Sequence, residues 1–339
     1  MKFQVESAVR KIGGVSQDVY LLTSPDTTMQ AEIWPDIGCN CLRWQVAGPR
    51  GPLELLYVVP DWDANPSPNR SGIPVLFPFP NRIRGGRFYW KGREHLMPLN
   101  DPAGTNAIHG FACRHPWRVR HTSAAENLAT LTAEFQGSID AAQDAVLWPA
   151  DYRLTMRYLL GHNSLSLSAT IENPGNQAVP VGLGFHPYFN VPLDKSGNDT
   201  ECRISVPAES FWELQDNLPT GRRLPVDPFR DLRMPRRFDD LLLDDAYTDL
   251  DAVAGEDKLR LRGRVEQNEV GAVEVWTTAL FREMVVFTPP NREAVCLEPY
   301  TCTTDAINMF ARGIDGGLTI LGGGESVTGF VVLRFVPAQ

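Results

Sequence analysis

The chain is predicted to be all-β, a large antiparallel β-sandwich, and three observations carry that reading. Apolar and polar residues alternate along many short runs. Turn-forming glycine (28) and proline (27) are both frequent, which suits short strands joined by turns. Convincing amphipathic helices are scarce. A length of 339 residues matches roughly two average domains or one large all-β unit. With 43% hydrophobic residues the chain can fill a large core, which excludes a disordered protein. Strand and turn signals run from near residue 15 to the end without a Ser/Gly linker or clear repeat. One domain spanning 1–339 is therefore expected.

The individual elements follow from local pattern. "LATLTAEF" (128–135) alternates as a half-buried strand does. In "YRLTMRYLLGHNSLSLSATIENPG", Leu154, Met156 and Tyr158 alternate with polar neighbours. Leu165, Leu167, Ala169 and Ile171 repeat the pattern, and "GHNS" between them supplies the turn of a hairpin. "AVPVG" reads as a buried strand, and "AVEVWT" (272–277), "MVVFT" (284–288) and "GFVVLRF" (329–335) add three more. Two stretches look irregular. "DWDANPSPNRSG" (61–72) is a proline- and asparagine-rich loop. Residues 219–250 form a long, charged, proline-punctuated excursion, whose length is uncommon for an ordered loop and whose plain reading is a solvated connection.

Charge and cysteine usage narrow the function. A net charge of −9 without a basic stripe argues against a nucleic-acid partner. Six scattered cysteines (Cys39, Cys41, Cys113, Cys202, Cys296, Cys302) show no repeated CxxC spacing, so neither a zinc nor a disulfide framework is expected. Cys39 and Cys41 read as small apolar packing. No run approaches the roughly 18 apolar residues of a membrane span, and the N-terminal stretch lacks a continuous apolar signal core. The expectation is a soluble, cytoplasmic protein in a reducing compartment.

Four segments concentrate side chains able to do chemistry. "GIPVLFPFPNRIRGGRFYWKG" (72–92) carries Asn81 and Arg82, and "GTNAIHGFACRHPW" (104–117) carries His109 before a glycine. "GLGFHPYFN" (182–190) carries His186, and "AVCLEPYTCTTDAIN" (294–308) carries Glu298 between Leu297 and Pro299. Singly, each has a bland reading. A histidine in an apolar strand is usually a hydrogen-bonded core group, and an arginine is usually a surface ion-pair partner. Glu298 differs because burial at such a site raises a carboxyl toward the range of a general base. No HxH, HExxH or clustered carboxylate spacing points to a metal.

The segments "NRI..GRF", "NAIHGF", "GFHPYFN", "LPTG", "DDAY" and "CLEPYT...DAIN" occur in the order found in aldose 1-epimerases (mutarotases), and the chain resembles that galactose mutarotase-like family across residues 72–308. "GLTILGGGES" extends the match toward the C-terminus. The resemblance implies a galactose mutarotase-like supersandwich. It also implies acid/base interconversion of the α and β anomers of a free aldose, without cofactor or metal. It assigns Glu298 as base and His186 as acid, with His109 near the reacting end of the sugar. Arg82, Asn81 and an aspartate are assigned to sugar binding. A D-x-x-F/Y spacing selects Asp244 over the adjacent Asp245.

Two departures stand out. "VVFTPPN" replaces the "QFYTGN" of the best-known galactose mutarotases, so Val285 or a neighbour stands where they carry glutamine. "EPY" also replaces "EPQ". Both are expected to alter substrate recognition and not proton transfer, which leaves the sugar itself open. Three other readings compete. One is a hexose-6-phosphate mutarotase, in which Arg84, Arg87 or Arg114 would meet the phosphate. Another is a non-catalytic sugar-binding module of the same fold. A glycoside hydrolase is the third, and it would need a second well-placed carboxylate.

Overall fold

A computed structural model describes residues 2–64, 66–195, 201–250, 255 and 258–338. Three antiparallel sheets dominate it. The first joins Gln4–Ile12, Val15–Thr23, Gln30–Trp34, Asn40–Gly48 and Gly51–Glu54 in sequence order. A nine-stranded sheet begins Arg118–Ala124, Ala129–Gln136, Arg153–Leu160, Ser164–Glu172. It continues through the C-terminal strand Ser326–Pro337 to Gly271–Thr277, Arg260–Gln267, Cys202–Ser205 and Arg236–Arg237. An eight-stranded sheet runs Leu218–Pro225, Ala208–Gln215, Asp244–Leu250, Glu283–Phe287, Ala294–Tyr300, Gly184–Phe185, Val75–Leu76. Its eighth strand, Tyr188–Asn190, also pairs with Ala294–Tyr300. The longest helix among the described residues is Ala306–Ala311, and none is long and apolar enough to cross a membrane.

Alternation explains this arrangement. On the nine-stranded sheet Leu131 pairs with Tyr158, Tyr158 with Leu167 and Leu167 with Val331, so one buried row crosses four strands. The eight-stranded sheet sends Val286, Val295 and Leu297 into the same continuous core. Its central strands are buried on both faces. The odd positions Val295 and Leu297 serve the core, which leaves Cys296, Glu298 and Tyr300 on the opposite face. All six cysteines are buried free thiols, and Cys39 and Cys41 sit in the core.

Two readings of the sequence need correction. Strand signals were expected from near residue 15, yet a strand already spans Gln4–Ile12. Most of its side chains are exposed, so it shows no apolar alternation. The excursion 219–250 is also not one loop. It holds Arg236–Arg237 and Asp244–Leu250 and most of Leu218–Pro225, and Tyr247 is completely buried. Its charges are matched, Arg230 by Asp227 and Asp245 within it, and Arg233 by Asp231 and by Glu209 of the preceding strand. Counted as single residues they resemble a solvated run. The loop 61–72 is irregular as expected in its described residues.

Candidate active site

All six residues singled out from the sequence line one cavity of about 420 Å³ on the eight-stranded sheet: Asn81, Arg82, His109, His186, Asp244 and Glu298. Elements from five parts of the chain bring them there. Arg82–Ile83 pairs with Ala107–Ile108, and the His109 amide donates to the Asn81 carbonyl at 2.9 Å. Asn81 (φ 53°) and His109 (φ 65°) both take left-handed backbone, which asparagine and histidine tolerate better than most residues. Both side chains line the cavity. The Arg82 guanidinium is steadied by Asp101 at 3.5 Å and donates to Asn81 Oδ1 at 3.1 Å.

Glu298 lies on the strand Ala294–Tyr300, and His186 stands between Gly184–Phe185 and Tyr188–Asn190, two short strands that both pair with it. The imidazole Nε2 stands 3.3 Å from Glu298 Oε1, and both groups are buried. His186 stacks on Tyr188 with ring centroids 4.5 Å apart and meets His109 edge-on at 5.7 Å. The Nδ1 atoms of His109 and His186 are buried without a protein hydrogen-bond partner. Burial pulls His186 down to about 3 and His109 well below its ordinary value. The same dry setting pushes Glu298 well above the usual carboxylate range. Burial thus disfavours the charged form of both groups, which stand close enough to exchange a proton.

Register separates the adjacent aspartates. Asp244 pairs with Phe287 and Ala246 with Val285, which puts Asp244 on the face of the cavity wall. Asp245 points the other way and is bound by Arg230 at 2.7 Å. A one-residue slip would exchange them. Asp244 is open to the cavity, and the packing around it raises its carboxyl.

The two departures from the family pattern behave differently. Val285 pairs with Glu298 and offers an apolar wall. Tyr300 was expected to affect recognition alone, but its hydroxyl donates to Glu298 Oε2. The arginines considered for a phosphate are elsewhere. Arg84 meets Asp305 and Arg87 meets Glu94, while Arg114 donates to the Ile108 carbonyl and lines a different, small cavity. The sequence reading singled out neither Arg70 nor Tyr188 among the lining residues. Tyr188 lies two residues after His186, as Tyr300 does after Glu298, so alternation could have found it. Arg70 lies on an irregular loop, where no period exists to read. Among the described residues, His186, Cys296 and Glu298 are the set with metal-ligand atoms within 4.8 Å of one another. Two of the three already engage each other, and burial drives the thiol of Cys296 up, away from the thiolate a metal needs.

The sequence matches the aldose 1-epimerase family over residues 18–334. The chain belongs to the aldose 1-epimerase family. The uncharacterized protein YihR of Escherichia coli (strain K12) is 32% identical over 144 residues, which span 42% of this chain and 43% of that protein. The uncharacterized protein YphB of the same organism is 25% identical over 270 residues, covering 76% and 82%. Among solved structures, a galactose mutarotase-like protein from Clostridium acetobutylicum superposes with a TM-score of 0.85 at 20% identity over 99% of both chains. At that identity the shared property is the fold. Members of the aldose 1-epimerase family are mutarotase-like, and the expected galactose mutarotase-like sandwich is the observed architecture.

Proposed function

We propose that the chain, acting as one unit over 1–339, is an isomerase that interconverts the anomers of a free aldose in this cavity. The observation that carries the reading is the 3.3 Å contact between His186 Nε2 and Glu298 Oε1, two buried groups that in this reading share one proton. When that proton is on His186, Glu298 is the carboxylate and takes the proton of the anomeric hydroxyl. His186 gives its proton to the ring oxygen, the C1–O5 bond breaks and C1 becomes the aldehyde carbon. The proton count of the pair is unchanged, because Glu298 gains what His186 gives. Rotation about C1–C2 presents the other face of the aldehyde, and the reverse transfers close the ring. Arg82, with a fork held by Asp101 and Asn81, is suited to grip sugar oxygens, as are Asn81 and Asp244. The unpartnered His109 Nδ1 offers a further contact. No step requires a cofactor.

Polarimetry of freshly dissolved glucose, galactose and glucose 6-phosphate tests this reading. Acceleration of anomer exchange for at least one free sugar is expected. A protein that binds these sugars without accelerating exchange would instead be the non-catalytic module.

One observation favours a second substrate class, a sugar with an anionic substituent. Arg70 lines the cavity, and no ion pair to it is seen among the described residues. If the substrate is of this class, Arg70→Ala should raise KM for glucose 6-phosphate about tenfold more than for glucose, as loss of one charged hydrogen bond does. Equal effects on the two sugars would remove Arg70 from anion recognition.

A further inference from the structure

Tyr300 is the least expected feature of the site. Its ring is completely buried, and its hydroxyl has Glu298 Oε2 as its hydrogen-bond partner. The other carboxyl oxygen, Oε1, faces His186. The two oxygens are thus divided between a phenol and an imidazole, which fixes the plane of the carboxyl group. The phenol is itself held firmly. A Cβ on Gly184 would stand 2.5 Å from Tyr300 Cδ1, and a glycine is needed there for the ring to lie against the backbone. Glu298 and Tyr300 are two residues apart on one strand, so the pleat gives both the same face.

We propose that Tyr300 is a positioning residue that orients Glu298 through its hydroxyl and stabilises it as the carboxylate. This rests on Glu298 being the base in the reading above. A phenol donates more strongly to a carboxylate than to a neutral acid, so the bond favours the form that accepts a proton from the sugar. Burial and the neighbouring carboxylate keep the phenol protonated, which preserves it as a donor. The other charged or titratable groups around Glu298 are Cys296 on its own strand, His186 and Tyr188 on the paired segment, Asp244 on the strand beyond Glu283–Phe287, and Arg82. Asp244 opposes ionisation of Glu298 and Arg82 favours it, while Tyr300 is the group that contacts its second oxygen directly.

The test combines Tyr300→Phe with replacement of Tyr300 by 3-fluorotyrosine, whose more acidic hydroxyl is a stronger donor. Glu298 ionisation is followed by ¹³C NMR of protein labelled at the glutamate carboxyl carbon, with the signal assigned by its loss in Glu298→Gln. Tyr300→Phe should move the Glu298 titration upward by about one pH unit, the scale of one charge-assisted bond. It should lower kcat about tenfold near neutral pH with little change in KM. Fluorotyrosine should move the titration downward, and it keeps the ring packing if the phenylalanine variant folds poorly. A purely structural ring would leave the fluorinated protein unchanged, and an unmoved titration in both proteins overturns the proposal. If the titration moves in both directions while the exchange rate ignores it, Tyr300 holds Glu298 as argued and the base assignment is what fails.

Discussion

Glu298→Gln is expected to lower anomer-exchange turnover by about 10³-fold while leaving sugar affinity within a few-fold of wild type. General acid–base groups contribute about 10²–10⁴-fold, and a buried carboxylate with one fixed proton partner belongs in the middle of that range. Glutamine keeps the shape of the side chain and an oxygen that can accept from Tyr300, so packing and binding survive. It cannot take a proton from the anomeric hydroxyl. His186→Asn should cost a comparable factor, because the pair acts as a unit and either loss removes its shared proton. Single-turnover polarimetry with isothermal titration of the same sugar separates rate from binding. A Glu298→Gln protein that exchanges anomers at the wild-type rate would show that the base lies elsewhere.

The second large effect concerns stability and a carboxyl outside the cavity wall. Glu283 is 1% exposed and accepts from Trp212 Nε1 at 3.0 Å through Oε2, while Oε1 is buried without a partner. Burial raises its carboxyl from 4.5 to about 7. The folded state therefore binds this proton more tightly than the unfolded state does. The stability this lends is fully present below about pH 4.5 and is lost as pH rises through about 7. At 1.36 kcal/mol per pH unit, the loss is about 3 kcal/mol. Glu283→Gln has no proton to lose, so its stability relative to wild type should rise by about that amount between pH 4.5 and 8. Urea unfolding of both proteins at several pH values measures the difference and cancels the contributions of other titrating groups. Parallel stability curves would show that Glu283 ionises in the folded state as easily as in the unfolded chain.

Much of this protein is legible in its sequence because the signals are local. Alternation in 153–172 specifies a hairpin from its own residues, since a strand's period of two needs no distant partner. The motifs around His109, His186 and Glu298 carry the resemblance to the aldose 1-epimerase family in the same way, because each is a short local segment. The same locality explains the failures. The strand Gln4–Ile12 is mostly exposed and carries no period, and the paired charges of 219–250 hide two strands and most of a third behind a polar composition.

What only the tertiary structure decided depends on which segments meet. The 3.3 Å approach of His186 to Glu298 joins residues 112 positions apart, and that contact brings two buried titratable groups within reach of each other. Strand register put Asp244 on the cavity face and turned Asp245 toward Arg230, which gives a physical cause to the choice that the D-x-x-F/Y resemblance implied. The hydroxyl of Tyr300 reached Glu298 because the pleat and the bare backbone of Gly184 gave its ring a place to lie. The physical reason is common to all three. A side chain's identity and face follow from its own strand, whereas its protonation and its partner follow from the dielectric and the neighbours that folding assembles around it.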